Sequence, residues 1–284
     1  MNTPDSLSLV ITTYNRSDAL LAVLHALASQ TDRDFEVVVA DDGSTLAHQQ
    51  AIWASPVAQS LHVVHVWHPD VGFTAARVRN RGVAAARGRY IVFLDGDCVP
   101  EIDFIAQHKR LAQVGCFING SRVLLAPDMT RQVVSEGKRI WGRPWTYWLR
   151  QRSRGQASKL TGLLRLPDGS PRIKRNFSWK GIRSCNMGVW RSDFERVDGF
   201  DESFVGWGHE DADFVLRLHH SGVVRKNGFC ATEVYHLWHH EAARAQESQN
   251  AQTVREREKT GLVRAVLGYS QARPHDDAVI TRLG

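Results

Sequence analysis

The 284-residue sequence contains no apolar run long enough to cross a bilayer, which argues against a helical membrane span. Its opening residues, Met1-Asn2-Thr3-Pro4-Asp5, lack the basic start and apolar core of a secretory signal, so a cytoplasmic protein is expected. Only four cysteines occur (Cys98, Cys116, Cys185 and Cys230), and they are too scattered for a zinc ribbon or a disulfide framework. They read as reduced, buried or half-buried thiols. Internal repeats and low-complexity tracts are missing, which excludes a solenoid. Acidic residues are scarce between about 129 and 183, where Arg150, Arg152, Arg154 and many other basic residues alternate with Trp141, Trp145, Trp148 and Trp179. The whole chain carries a formal charge of +6, which favours anionic partners. That total does not choose among nucleic acid, phospholipid and sugar nucleotide. No nucleic-acid signature accompanies the basic stretch. It reads either as a solvated basic loop anchored by tryptophans or as a surface for an anionic acceptor or lipid headgroups.

What is present begins with a strand–helix alternation. Leu7–Thr12, Phe35–Ala40, Leu61–Val66 and Tyr90–Leu94 are β-branched, apolar runs that predict buried strands. Between them, Leu20, Leu24 and Leu27 recur at helical spacing behind a Ser17 or Asp18 cap, and an alanine-rich helix is predicted over about 74–86. Strands separated by helices predict a parallel, doubly wound sheet, whose ligands bind beyond the C-terminal strand ends. Those ends hold Thr12, Asp42 and Asp95. A further strand is expected at Cys185–Trp190, and a charged surface helix from about Glu241 to Leu267.

Asp95-Gly96-Asp97 closes the fourth strand, where carboxylates can hold a divalent ion against a diphosphate. The triplet alone is also a common turn. It follows, in order, Leu9-Val10-Ile11-Thr12-Thr13-Tyr14-Asn15-Arg16, Val38-Val39-Ala40-Asp41-Asp42-Gly43-Ser44 and Arg79-Asn80-Arg81-Gly82. Together these segments resemble the nucleotide-binding half of family 2 glycosyltransferases, over roughly residues 7 to 100. The resemblance implies the GT-A fold: a doubly wound, mostly parallel α/β sheet with a C-terminal acceptor-binding half. It implies that Thr12, Tyr14, Asp42, Arg77, Asn80 and Asp95 bind the nucleotide, and that Asp97 binds Mn²⁺ or Mg²⁺.

A second segment, Asn186-Met187-Gly188-Val189-Trp190 through Gly206-Trp207-Gly208-His209-Glu210-Asp211-Ala212-Asp213, is similar to the catalytic segment of β-1,4-galactosyltransferases. It is also similar to that of chondroitin-type polymerases and polypeptide N-acetylgalactosaminyltransferases. Gly206 and Gly208 let backbone approach a ligand, and Trp207 offers a flat face for a sugar. Acidic residues in a first helical turn also complement the helix dipole, and that is the reading for Asp213. The resemblance makes Asp211 the general base and has Glu210 orient the acceptor, on which Trp207 can stack; the helix-start position is expected to keep Asp211 ionised at neutral pH. The resemblance departs at His209, where the galactosyltransferases usually carry glycine.

Downstream, Glu233-Val234-Tyr235-His236-Leu237-Trp238-His239-His240 offers imidazole ligands. By resemblance His236 closes the metal site, while Glu233 stands where the galactosyltransferases place methionine and is left outside the ligand set. His239, His240 and the pair His219-His220 read as surface or structural residues. The expected organisation is a nucleotide-sugar and metal-binding half at 1–123, an acceptor-binding and catalytic half at 124–240, and a helical tail at 241–284. The expected activity is inverting, metal-dependent transfer of galactose or N-acetylgalactosamine from a UDP-sugar to a glycan or lipid-linked glycan. Assembly of a bacterial surface polysaccharide is the expected setting, with peripheral contact to an anionic membrane and no nucleic acid. Two rivals remain: a sugar nucleotidyltransferase, which calls for a glycine-rich triphosphate loop that Thr12-Thr13-Tyr14-Asn15 is not, and a non-catalytic binder of anionic polymers.

Overall fold

Alternation along the first strands decides the architecture, because each strand carries apolar side chains on both faces. The computed structural model describes residues 4–160, 164–240, 247–272 and 277–284. Its strands are β1 (Leu7–Thr13), β2 (Glu36–Asp41), β3 (Val64–Trp67), β4 (Tyr90–Asp95), β5 (Cys98–Pro100), β6 (Cys116–Asn119), β7 (Ser121–Leu124), β8 (Ile173–Lys174), β9 (Asn186–Trp190), β10 (Val224–Asn227), β11 (Glu233–His236) and β12 (Val279–Arg282). Leu9, Ile11, Val37, Val39, Val92 and Leu94 face one core, closed by Leu20, Val23, Leu24 and Leu27 of the helix Ser17–Leu27. Val10, Val38, Ala40, Ile91 and Phe93 face the other, closed by the helices Ala75–Ala85 and Glu210–His220. Each fully buried Leu, Val or Ile side chain contributes roughly 1.5–3 kcal/mol, so this double-sided core dominates stability.

Nine strands form one sheet in the order β12-β3-β2-β1-β4-β9-β6-β10-β8. The β3-β2-β1-β4 core is parallel, and β9 and β12 join antiparallel. The chain winds outward from β1 to β3, then returns to place β4 on the other flank of β1. That reversal opens a crevice at the carboxyl ends of β1 and β4, where ligands bind in doubly wound sheets. A smaller sheet, β5-β11-β7, sits beyond it and pairs His236 directly with Cys98. The expected boundary at 123/124 falls inside β7, and strands from both sides of it share the large sheet.

Several local expectations change. No side-chain cap bonds the start of the first helix: Arg16 holds the cap position and Asp18 lies in the first turn. The basic stretch contains the helices Pro127–Ser135 and Trp145–Ser153 rather than a continuous loop. Trp141 and Trp148 are buried anchors, and Trp148 stacks on Tyr235 with ring centroids 4.2 Å apart. Part of its positive charge is internal, since Arg172 is buried and donates to the carbonyls of Pro167, Asn227 and Phe229. The expected tail helix spans only Glu247–Arg257, and Glu241–Gln246 lie outside the described residues. It cannot run on to Leu267, because Asp201 accepts the backbone N–H groups of Val266 and Leu267 and holds that stretch in a loop. The chain then adds β12 to the sheet edge.

Asp213 is more than a dipole complement. Its carboxylate is fully buried and accepts from Arg217 Nε at 2.7 Å and from Arg257 at 2.7 Å, while Arg257 also reaches Asp201 at 2.8 Å. Removing one partner of such a node strands charge in the interior. Asp213→Asn should therefore lower unfolding free energy by roughly 3–5 kcal/mol in denaturant titration, well above the few tenths expected of a surface helix-start acid.

Candidate active site

The crevice is built by backbone register first. Thr12 and Asp95 are paired across β1 and β4, and Thr12 Oγ1 donates to Asp95 Oδ1 at 3.0 Å. The next residue must be small: a Cβ on Gly96 would come within 2.8 Å of the Thr12 carbonyl oxygen, which already accepts Gly96 N–H. The turn therefore delivers Asp95 and Asp97 to the same end of the sheet.

Arg79 organises one side of this end. It is 4% exposed, donating to Asp95 Oδ1 at 3.3 Å and to Glu210 Oε1 at 3.1 Å. Burial alone would lower its pKa, but the charges of Asp95, Glu210 and Asp211 outweigh burial and raise it. The helix Glu210–His220 starts here, so Glu210 and Asp211 meet Arg79 at its first turn. Asp211 is half-buried, and Ser184 N–H lies 3.4 Å from its carboxylate. Burial and the neighbouring Glu210 push its pKa up to about 7, with Arg79 opposing them. The expectation of full ionisation at neutral pH is corrected by that burial, and a value near neutrality suits a general base.

The loop before this helix is shaped by positive φ at Gly206 (77°), Gly208 (105°) and His209 (69°). His209, where the resemblance leads one to expect glycine, holds a left-handed geometry at a cost of about 1–2 kcal/mol. Its ring packs against Trp179, centroids 5.1 Å apart. Trp207, partly exposed, sits between the two glycines.

On the other side lies a cluster of metal-ligating types. One atom each of Asp97, Cys98 and His236 lies within 4.8 Å of the others. His236 Nε2 is 3.7 Å and His239 Nε2 3.1 Å from Asp97 Oδ2. Burial raises the pKa of Asp97, but the hydrogen bond with His239 and the charges of both histidines bring it below the usual range. Burial lowers His236, whereas its hydrogen bond with Asp97 raises His239. Asp97 Oδ1 is shielded from solvent without a hydrogen-bond partner among the described residues. An orphaned carboxylate oxygen beside two imidazoles fits a divalent cation. Glu233 does not share the site, because it lies an odd number of residues from His236 along β11 and faces the other way. Its two oxygens accept Cys230 and Ala231 N–H at 2.8 and 3.0 Å.

The remaining sequence-selected residues divide. Asp42 borders the crevice and accepts Thr74 N–H at 2.9 Å, and Tyr14 donates to Asp70 at 2.8 Å on the same rim. Two are not brought to the centre. Asn80 is fully buried, clamping Phe200 through N–H and carbonyl bonds of 2.9 Å and reaching Glu202 at 3.0 Å, so its amide is spent inside the fold. Arg77 points outward and pairs with Asp277 at 2.9 Å. The sequence pointed to this helix through Arg77 and Asn80 but did not single out Arg79. The signal was its place on the buried stripe with Ala76 and Val83, where an arginine implies an internal ion pair. It also missed His239, whose closeness to Asp97 depends on the chain bending after β11.

A parallel crevice with carboxylates at two strand ends, facing an acidic helix start, is the arrangement of a GT-A-type fold. Residues 8–169 match the family described as Glycosyl transferase family 2, and residues 165–241 match one described as N-terminal domain of galactosyltransferase. The chain belongs to glycosyltransferase family 2. It is similar to validoxylamine A glucosyltransferase of Streptomyces hygroscopicus subsp. jinggangensis, 30% identical over 76% of this chain and 52% of that one. Chondroitin synthase of Escherichia coli is 28% identical over 77% of this chain and 33% of its own length. The chain thus spans about half or less of these relatives. Among solved structures, S. aureus TarS superimposes with a TM-score of 0.60 at 15% identity, covering 94% of this chain and 41% of TarS. A mannosyltransferase from Pyrobaculum calidifontis, in complex with GDP-Man and Mn²⁺, gives 0.53 at 17% identity, covering 92% of this chain and 63% of that one. These likenesses support the GT-A fold.

Arg79 opposes the upward shift of Asp211. Arg79→Met should move the Asp211 titration further upward, read by carbon-13 NMR of the side-chain carboxyl, and an unmoved titration would remove Arg79 from that role.

Proposed function

We propose that the chain is an inverting glycosyltransferase using a UDP-sugar, with residues 1–123 serving the donor and 124–240 the acceptor. The supporting observation is the Asp95–Arg79–Glu210 ion network, which puts the acidic helix start with Asp211 beside the strand end of the donor crevice. Thr12, Tyr14 and Asp42 line the nucleoside side, with Asp95 toward the ribose. Asp97 and His236 would hold a divalent ion, Mn²⁺ or Mg²⁺, which would supply charge neutralisation for a diphosphate leaving group. Asp211 takes the proton of the acceptor hydroxyl as that oxygen bonds to the anomeric carbon. The bond from that carbon to the nucleoside diphosphate breaks with its electron pair, so configuration inverts and no covalent enzyme intermediate forms. Glu210 orients the acceptor, and Trp207 stacks on its ring. Galactose or N-acetylgalactosamine is the donor sugar by the second resemblance, and a growing bacterial surface glycan, as in lipopolysaccharide or capsule, is the acceptor.

The base reading has a definite pH sign. A base must be deprotonated, so turnover rises as pH climbs through about 7, the value to which burial lifts Asp211. Asp211→Asn should lower kcat by about 10²- to 10⁴-fold while UDP affinity changes only a few-fold. Glu210→Gln should instead raise the acceptor KM at least as much as it lowers kcat. Normal turnover by Asp211→Asn, with the pH limb intact, would end the assignment.

Peripheral contact with the inner face of an anionic membrane is the companion proposal. No helix among the described residues is long and apolar enough to cross a membrane. The helix Trp145–Ser153 buries Trp148 and Gln151 but leaves Trp145 61% and Leu149 47% exposed, one turn apart. Arg150, Arg152 and Arg154 are exposed around them. An aromatic and an aliphatic side chain ringed by arginines suit a headgroup layer, each basic residue adding about 1 kcal/mol. Reversing the three arginines to Glu should abolish sedimentation with phosphatidylserine vesicles at low salt and spare donor hydrolysis. Binding indifferent to salt and to these changes would remove the proposal.

A further inference from the structure

From Ile173 to Arg183 the chain carries Lys174, Arg175, Lys180 and Arg183 and no acidic residue. Strand pairing adds Arg225 to them, because Lys174 of β8 stands directly opposite it on β10 in antiparallel register. Like charges facing each other across a strand pair are destabilising. Here no carboxylate relieves them: among the described residues none lies within ion-pair distance of these five cations. Lys226, on the opposite face of β10, is by contrast paired with Asp168 at 2.8 Å. Resting on the transferase reading above, we infer that the acceptor glycan is anionic, and that Lys174, Arg175 and Arg225 hold its negative charge in a trough leading to Asp211.

The trough is a formed site. A cavity of about 470 Å³ is lined by Lys174, Arg175, Asn176, Phe177, Arg225 and Asn227. Arg225 is half-buried, and its Nε donates to Asn227 Oδ1 at 3.0 Å and its Nη1 to the Lys180 carbonyl at 3.2 Å. These bonds fix the guanidinium plane without occupying Nη2. Burial and the charge of Arg183 push the Arg225 pKa down, as expected of a cation left without its counter-ion. Phe177 is half-buried against His219, with ring centroids 5.4 Å apart. Cations, amides and an aromatic ring around one cavity suit a sugar that carries a carboxylate or a phosphate, both of which accept from a guanidinium.

The fold connects this cavity to the base. Strands β4, β6 and β10 run the same way, with β9 antiparallel between β4 and β6, so Asn227 ends β10 at the same end of the sheet where Asp95 ends β4. The segment between is tethered along its length. Trp179 packs on His209, Ile182 N–H closes a turn on the Trp179 carbonyl at 3.1 Å, and Asn119 Nδ2 donates to the Gly181 carbonyl at 3.2 Å. It ends at Ser184, whose N–H is 3.4 Å from the Asp211 carboxylate. The stretch from Phe177 to Ser184 would reach about 25 Å if fully extended, and the turn shortens it. An oligosaccharide can therefore lay a charged unit in the trough while its free hydroxyl meets Asp211.

The test is calorimetric titration of the full chain at low salt with oligogalacturonate, with an oligomer of glycerol phosphate of equal charge, and with neutral malto-oligosaccharide of similar length. The parent should bind an anionic oligomer at least about tenfold more tightly than the neutral one, and salt should weaken that binding. The tighter of the two anionic probes names the charged group, carboxylate or phosphate. Lys174→Glu should weaken it by at least about tenfold while raising the thermal melt, since opposite charges then face each other across β8 and β10. A merely structural lysine would not separate those two readouts. Arg175→Gln, at an exposed position, should weaken the same probe with the melt and UDP affinity unchanged. The preferred oligomer should also shift the Asp211 carboxyl resonance in carbon-13 NMR, and a silent Asp211 would detach the trough from the acceptor path and overturn the inference. Equal affinity for neutral and anionic oligomers, or anionic affinity indifferent to both substitutions, would overturn it as well. Loss of UDP in parallel with the oligomer would assign these cations to the donor diphosphate instead. A parent that binds no UDP overturns the underlying transferase reading, whereas one that binds UDP but neither anionic oligomer overturns this inference alone.

Discussion

One buried guanidinium ties the crevice at the ends of β1 and β4 to the acidic helix. Glu210, Asp211 and Asp95 come from segments far apart in the chain, and three carboxylates converging there repel one another and lose hydration. Arg79 makes their approach stable by bonding to two of them and acting electrostatically on the third. A lysine would supply a point charge, whereas the planar fork of arginine spans two acceptors in fixed directions. The same cation limits how far Asp211 is driven toward its neutral form. Packing and proton affinity are therefore set by one side chain.

A second ion cluster does comparable work below the first. Asp213, Arg217, Arg257 and Asp201 join the helix Glu210–His220 to the helix Glu247–Arg257 and to the loop after Phe200. The helix Glu210–His220 is thus gripped at its start by Arg79 and one turn later by Asp213. Asn80 clamps the same Phe200 loop from the opposite side. Residues that look like ligand contacts in the sequence turn out to be braces, because buried polar groups must find partners wherever they lie.

The first four strands were legible because short, continuous β-branched apolar runs closed by polar residues leave little else they can form, and the crevice followed from the strand–helix order. The metal-ligating types near Asp97 and the acidic start of the later helix were readable as types. Three features were not. Whether an arginine turns inward depends on helix phase, and a shift of two positions separates Arg77 on the rim from Arg79 at the centre. The pKa of Asp211 depends on burial by segments remote in sequence. The tail was read from composition, but Asp201 captures Val266 and Leu267 from across the fold, a tertiary contact that overrides helix propensity.

The pairing of β12 with β3 brings segments near opposite ends of the chain into register, Ile280 beside Val66. The parallel core β1–β4 is local in sequence and can collapse while later segments are still being made. Its β3 edge must then wait, with unpaired N–H and C=O groups, until the last described strand arrives. During that interval the edge is a template for any other extended chain. Intermolecular association during synthesis is therefore set by how quickly β12 reaches β3, a kinetic exposure that the finished fold conceals.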